Sequence, residues 1–343
     1  MDLNNLIILS IILFGLMFVF KKFNFLIDNV SFSDHKKLGI LNKSPIILGG
    51  IYLTLSLIIL APEIYNFLKI ICIFILFLGL SSDKNYLTNP LIRLILQILI
   101  LFILIYYEDL YIRSISIDFF DSFLEIKYLN IFFTLFCFAI LMNGSNFLDG
   151  LNGLLSGYYL ILLGSLIYLN FSSEVISLIS YEFINLIFMS VLLFFLLNIF
   201  GLVYLGDSGS YIISMIVGFI LIKESQNNIN FSPYYIVLVL WYPAFENLFS
   251  LIRRLYKNRN ISSADKLHLH QLIFRYLKQK KIIDEKKINS LTSLLILLCN
   301  IPAFIVANLN HSHTKTLVLM ILINVVIYLL FYFYFINFFR KSL

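Results

Sequence analysis

Residues 91–107, LIRLILQILILFILIYY, form an apolar run whose only strongly polar members, Arg93 and Gln97, lie near its start. A run of this kind is close to the roughly 20 residues that an α-helix needs to cross a hydrocarbon core about 30 Å thick. Similar runs recur at 5–21, 45–61, 66–80, 129–143, 151–169, 181–198, 206–222, 233–252, 290–309 and 315–338. Hydrophobic residues make up 60% of the chain and charged residues 13%, against about 45–50% and 25% in soluble domains. Mean hydropathy is +0.93. Too little polar surface is available to face water on all sides. The expected fold is therefore an all-α polytopic membrane protein of about 11 transmembrane helices. A barrel would show short alternating segments instead.

The segments between the runs alternate in charge. One set is basic: Lys21, Lys22, Lys36, Lys37 and Lys43; Lys84 and Arg93; the stretch from Arg253 to Lys287; and Arg340 with Lys341. The other is acidic or neutral: Glu63; Glu108, Asp109, Asp118, Asp121 and Glu125; Glu174 and Glu182; Glu224. Basic loops stay in the cytoplasm, which predicts an external amino terminus and a cytoplasmic carboxyl terminus. Lys21 and Lys22 follow the first run, whereas a cleaved leader carries its basic residues ahead of the apolar stretch. The run reads as a permanent helix. Residues 1–343 read as a single transmembrane domain, with 253–289 as its basic cytoplasmic loop. Alternation of polar and apolar residues over Tyr111–Ile117 predicts a small external β-hairpin within 108–127. Cys72, Cys137 and Cys299 stand singly in apolar runs, a pattern of packing rather than of metal or redox chemistry.

The unusual polar residues gather on the basic set of loops. They are Asp34-His35-Lys36-Lys37 with Gly49-Gly50; Gly79-Leu80-Ser81-Ser82-Asp83 with Arg93 and Gln97; and the stretch from Asn143 to Gly153. Beyond these come Asn198 with Gly206-Asp207-Ser208-Gly209-Ser210, and then Glu246, Arg253, Arg254, Asp265 and His268-Leu269-His270-Gln271. Asn143, Asn146 and Asp149 are three apart and share one face of a helix. Amides and carboxylates at membrane depth face a polar cavity, and three amides with a carboxylate exceed what a helix cap needs. Asp207 at the start of a run reads either as an N-cap or as a ligand of a divalent cation whose other partners are phosphate oxygens. Asp83 and Asp149 would complete an acidic ring on the same face. His268 and His270, two apart, lack the i, i+4 spacing of a zinc pair and suit contacts to phosphate or a nucleotide ring. His311 and His313 fall on the external side and read as interfacial filler.

These clusters, in order from His35 to Gln271, resemble the polyprenyl-phosphate N-acetylhexosamine-1-phosphate transferases. That family includes the undecaprenyl-phosphate GlcNAc-1-phosphate transferases and the phospho-MurNAc-pentapeptide transferase. The specific motifs are Asn143-x-x-Asn146-x-x-Asp149-Gly150-x-Asn152-Gly153-Leu154 and Leu205-Gly206-Asp207-Ser208-Gly209-Ser210, joined by Pro243-x-x-Glu246, Arg253-Arg254 and the His-x-His. The resemblance implies a bundle of ten or eleven spans with its site on the cytoplasmic side of a bacterial inner membrane. By position, Asp207 matches the Mg²⁺-coordinating aspartate, with Mn²⁺ as the alternative ion. Asp83 matches the second of an Asp-Asp pair that places the lipid phosphate and the metal. Asn146 and Asp149 match nucleotide-sugar contacts, with Asn143, Asn152 and Arg253 beside them. His268 and His270 match the family's histidine motif, and Lys36 a phosphate-binding residue.

The implied partners are polyprenyl phosphate, a UDP-N-acetylhexosamine and membrane lipids, with no nucleic acid; a homodimer is compatible. Ser82 stands where the family has the first aspartate, Asn152 where it often has a second one, and Gln271 and Ala264 depart from the His-x-His-His and Pro-Asp patterns. The rival readings are a secondary transporter, which would place its ionisable groups near the bilayer midplane in repeats, and a catalytically silent scaffold of the same fold.

Overall fold

The computed structural model describes residues 3–26, 45–172, 179–228, 231–257, 267–281 and 285–341. Its helices are α1 (Leu3–Lys22), α2 (Gly49–Leu60), α3 (Asn66–Asp83), α4 (Pro90–Tyr107), α5 (Asp118–Leu124), α6 (Lys127–Leu148) and α7 (Leu154–Ser172). They continue as α8 (Tyr181–Asn198), α9 (Gly206–Asn227), α10 (Pro233–Val239), α11 (Trp241–Tyr256), α12 (Leu269–Lys280), α13 (Glu285–Leu309) and α14 (Thr314–Lys341). Every apolar run carries a helix, and the molecule is an all-α polytopic membrane protein. Among the described residues eight helices are long and apolar enough to cross a membrane, and α10 with α11 make a ninth candidate as a bent pair. Shorter apolar helices cover Gly49–Leu60 and Leu154–Asn170.

The centre of the bundle is α9. Within its apolar window 94% of residues are buried, against 22% in α1, α4 and α14, so those three form the lipid-facing rim. Around α9 pack α2, α3 and α6. The α3 contact is backbone on backbone: a β-carbon at Gly79 would lie 2.2 Å from the Cα of Ser208. Small residues permit such crossings where lipid supplies no hydrophobic drive between helices. The only strands among the described residues, β1 (Ile46–Ile47) and β2 (Val203–Tyr204), pair in parallel and bring the starts of α2 and α9 side by side.

Two sequence expectations change. The run 233–252 is broken at Leu240, where α10 and α11 bend by 76°. Pro243 has no N–H to give the carbonyl of Val239, and a proline sits well only in the first turn of a helix. The break puts it there, and the Tyr158 hydroxyl donates to the orphaned Val239 carbonyl at 3.0 Å. The β-hairpin expected within 108–127 is not formed; that segment is a loop followed by α5. Side chains take the backbone groups that a partner strand would have used. The Asp121 carboxylate accepts from the Ile115 amide (2.7 Å) and the Ser114 hydroxyl (2.6 Å). Asn130 both accepts from the Ile112 amide and donates to its carbonyl. Of the cysteines, Cys72 is buried, Cys137 partly so, and Cys299 lies exposed on the bundle surface.

Candidate active site

At the start of α9, the last residue of α3 serves as its cap. Both oxygens of Asp83 are engaged: Oδ1 accepts from the Asp207 amide (2.7 Å), and Oδ2 from the Ser208 amide (3.2 Å) and hydroxyl (2.8 Å). These amides have no partner within their own helix, and a carboxylate there also complements the helix dipole. Gly206 makes the close approach possible, with φ of +72° and a missing β-carbon that would meet Asp83 at 2.8 Å. Asp207 is therefore not the N-cap but the second residue of the helix. Its carboxylate is released for other work, and Oδ2 accepts from the Ser82 hydroxyl (2.5 Å) and from Nη1 of Arg93 (3.1 Å). The same Nη1 donates to Oγ of Ser82 at 2.6 Å. Arg93 reaches this point from the first turn of α4, which Asn89 caps and Pro90 begins. Asp207 is nearly buried and the Arg93 side chain 26% exposed, so the pair lies at a half-open edge where charge still counts.

The amide-rich turn after α6 is tied from several sides. Asn143, in α6, donates to the Ala139 carbonyl (2.8 Å) and to Gln97 (3.3 Å). Asn146 lies one turn on, half-buried, and Asp149 is the residue that ends the helix. The Asn152 amide donates to Asn289 at 2.6 Å. Asn198 is the hub of the turn: its Oδ1 accepts from the Gly153 amide and the Ser156 hydroxyl, each at 2.9 Å, while its Nδ2 donates to the Val203 carbonyl.

Facing that turn is the histidine segment. His268 and His270 are buried, with rings 10° from parallel and 5.5 Å apart. The Phe147 ring lies 4.7 Å from that of His268, and a β-carbon at Gly150 would lie 3.6 Å from Nε2 of His270. Glu246 of α11 stands behind both rings, 3.0 Å from Nδ1 of His268 and 3.6 Å from Nδ1 of His270. Arg253 turns inward: Nη1 donates to the Leu267 carbonyl and the Tyr332 hydroxyl, both at 3.0 Å. Its guanidinium sits over the Phe249 and Tyr332 rings.

Several of the expected residues thus fall at two junctions. Asp83 and Asp207 meet directly; His268, His270 and the Asn146–Gly150 turn meet through Phe147 and Gly150. Arg253 braces the loop from within. Lys36 and Asp265 lie outside the described residues. Ser82 and Arg93 on Asp207, and Glu246 behind the histidines, are links that sequence reading did not assign. The available signal was an ionisable residue inside an apolar run. Among the described residues no three His, Cys, Asp or Glu side chains converge as a ready metal cage. The donor set at Asp207, hard carboxylate oxygen at a half-open edge, fits Mg²⁺, which is held by one or two carboxylates and completed by substrate phosphates.

Residues 65–225 match the model of glycosyl transferase family 4. Over that span the chain resembles this family. The matched span of this family runs from the start of α3 almost to the end of α9, and so includes Asp83, the amide turn and Asp207 but not the histidines. The chain is 29% identical over 210 residues to the undecaprenyl-phosphate alpha-N-acetylglucosaminyl 1-phosphate transferase of Yersinia pestis, covering 59% of this chain and 56% of that one. It is 24% identical over 239 residues to a probable undecaprenyl-phosphate N-acetylglucosaminyl 1-phosphate transferase of Bacillus subtilis, covering 67% and 65%. With the Escherichia coli K12 enzyme of the same name as the Yersinia one, identity is 26% over 207 residues, 59% and 56% of the two chains. The matches span 56–65% of the length of these relatives.

Proposed function

We propose that this chain transfers an N-acetylhexosamine 1-phosphate from a UDP-sugar to polyprenyl (undecaprenyl) phosphate and releases UMP. The reaction would take place at the cytoplasmic face of a bacterial inner membrane, as the first membrane step of a cell-surface glycan. The observation that carries this reading is the Asp207 carboxylate, set in the first turn of the buried central helix and held by Ser82 and Arg93. The names of the family 4 relatives support it, and so does the basic character of the loops at this end.

In the proposed reaction an oxygen of the lipid phosphate attacks the sugar-bound phosphorus of the donor in line. A new P–O bond forms as the bond from that phosphorus to the bridging oxygen breaks, and the electron pair leaves with UMP. The second pKa of a phosphomonoester is about 6, so the acceptor is ionised near neutral pH without a side-chain base. Ser82 in place of an aspartate is compatible with that chemistry. A bound Mg²⁺ or Mn²⁺, held by Asp207 with Asp83 beside it, would neutralise charge on the diphosphate. Arg93 offsets the remaining negative charge at the junction. Asn143, Asn146, Asp149 and Asn152 line the turn offered to the nucleotide-sugar, Lys36, His268 and His270 serve the phosphate side of the same site, and Arg253, expected to contact substrate, instead braces the histidine segment. Positioning and electrostatics supply most of the rate in such displacements.

The test is to incubate the purified protein in nanodiscs with polyprenyl phosphate, Mg²⁺ and a panel of UDP-sugars, and to identify the lipid product by mass spectrometry. A lipid-linked diphosphosugar with stoichiometric UMP is expected. Release of UMP without lipid product, or no turnover of any donor, overturns the proposal.

A further inference from the structure

Glu246 is fully buried, yet it belongs to none of the roles assigned above. It lies in α11, just beyond the bend at Leu240, and its carboxylate meets the first residues around the start of α12, with the Tyr328 hydroxyl of α14 also close to it. Oε1 accepts from the Leu269 amide at 2.8 Å. Oε2 lies 3.0 Å from Nδ1 of His268, and Oε1 lies 3.6 Å from Nδ1 of His270. A buried carboxylate is retained only where it is paired and hydrogen-bonded, and here its donors include the Leu269 amide at the helix start and the His268 ring.

We propose that Glu246 is a positioning residue that fixes the tautomer and direction of His268, and through the Leu269 amide the seat of the whole histidine segment. An ionised carboxylate only accepts, so the contact at 3.0 Å requires the proton on Nδ1. Neutral His268 is then the Nδ1–H form, with its Nε2 lone pair turned away from Glu246. A carboxylate behind an imidazole acts in this way wherever a histidine must present one nitrogen in a defined state. Phe147 against one ring and the parallel stacking of the other limit rotation about the remaining torsions. Asn247, the next residue, donates from Nδ2 to the Ile140 carbonyl of α6 at 3.0 Å. The limb that carries Glu246 is thereby tied to the helix that ends in the Asn146–Asp149 turn. The histidines and that turn are set in one frame, so Nε2 of His268 meets the donor substrate in the same protonation state at every turnover. This assignment rests on the proposed transferase reaction for its consequence in catalysis, but not for the tautomer itself.

The two parts separate experimentally. In full-length protein with ¹⁵N-labelled histidine in nanodiscs, with no substrate added, the His268 ring (assigned by its loss in His268→Gln) should show a protonated Nδ1 and a pyridine-like Nε2. In Glu246→Gln the amide oxygen can keep the Leu269 bond while the NH₂ faces Nδ1, and the His268 signals should switch to the Nε2–H form. The same variant should release UMP about 10–100-fold more slowly in kcat, with KM for the donor within about twofold if only the state of Nε2 changes. Glu246→Asp, which keeps the acceptor, should return the Nδ1–H signature and part of kcat. An Nε2–H tautomer in the unaltered protein, or a Gln variant with unchanged tautomer, overturns the assignment. Absence of UMP release from the unaltered protein would overturn the transferase reading and leave the tautomer result standing on its own.

Discussion

Asp83 and Glu246 do the same structural job at two ends of the site, but with opposite consequences. Each is a carboxylate on one helix that accepts backbone N–H groups at the start of another, Asp83 for α9 and Glu246 for α12. Asp83 is half-exposed and holds the helix start, while the catalytic candidate beside it, Asp207, turns its own carboxylate to Ser82 and Arg93. Glu246 is fully buried and also meets two imidazole rings, those of His268 and His270. One junction takes over the capping of a helix that carries a charged group; the other leans on two imidazole rings. The difference follows from chemistry. A carboxylate that meets a cation and phosphates needs only to be delivered, whereas an imidazole also has to be told which nitrogen carries the proton.

The strongest way to break this contrast is to remove the delivered group. Asp207→Asn keeps the shape and the Ser82 contact but loses the charge, and UMP release should fall about 10³-fold, the scale of losing one preorganised electrostatic contact. The thermal midpoint should move by less than about 4 °C. Asp83→Ala should do the reverse in kind: it removes the cap, which costs about 1–2 kcal/mol, and lowers UMP release by about 10²-fold through displacement of Asp207. A thermal melt and a UMP assay on both variants separate the two roles. If Asp207→Asn unfolds the protein while Asp83→Ala leaves its stability intact, the division of labour is wrong.

Much of this arrangement was legible from the sequence, and its limits have physical causes. The run 91–107 gave α4 almost to the residue, because a span is specified locally by length and apolarity. Two of the expected meetings also form, Asp83 with the start of α9 and the histidines with the turn after α6. What could not be read were contacts fixed by packing. Arg93 and Asp207 are 114 residues apart in the chain. The bend at Leu240 depends on a proline that is visible in the sequence and on a Tyr158 hydroxyl that is not visibly its partner. The hairpin reading failed although the alternation at Tyr111–Ile117 is real. A period of two states what a segment can do, and Asp121 and Asn130 had already taken its backbone groups.

Arg93 sharpens the comparison at a smaller scale. Its guanidinium bonds both Ser82 and Asp207, so it offsets the charge of Asp207 directly. Arg93→Ala should lower UMP release about tenfold, the size of a charge-assisted hydrogen bond, and Arg93→Lys should recover most of it. The check is a Mg²⁺ titration of UMP release in each variant. A rate above that of the unaltered protein at low Mg²⁺ would recast Arg93 as a competitor of the cation rather than a support for Asp207.

The smallest effect is expected at the far end of the same central helix. Asp207 lies in the first turn of α9 and Gln226 in its last; at 1.5 Å per residue the two are about 30 Å apart. Gln226 donates to the Asp109 and Tyr111 carbonyls, and Lys223 to that of Glu108, so α9 also carries the loop that replaced the expected hairpin. Asp121→Ala removes the acceptor of the Ile115 amide and the Ser114 hydroxyl, which should loosen that loop by about 1–3 kcal/mol. Hydrogen exchange at 110–117 should rise while UMP release stays within about twofold. A rigid buried helix could nonetheless transmit strain from one end to the other. If loosening the loop slowed UMP release more than tenfold, α9 would have to be treated as a mechanical link between the two faces, and the Asp83 cap as its fixed point.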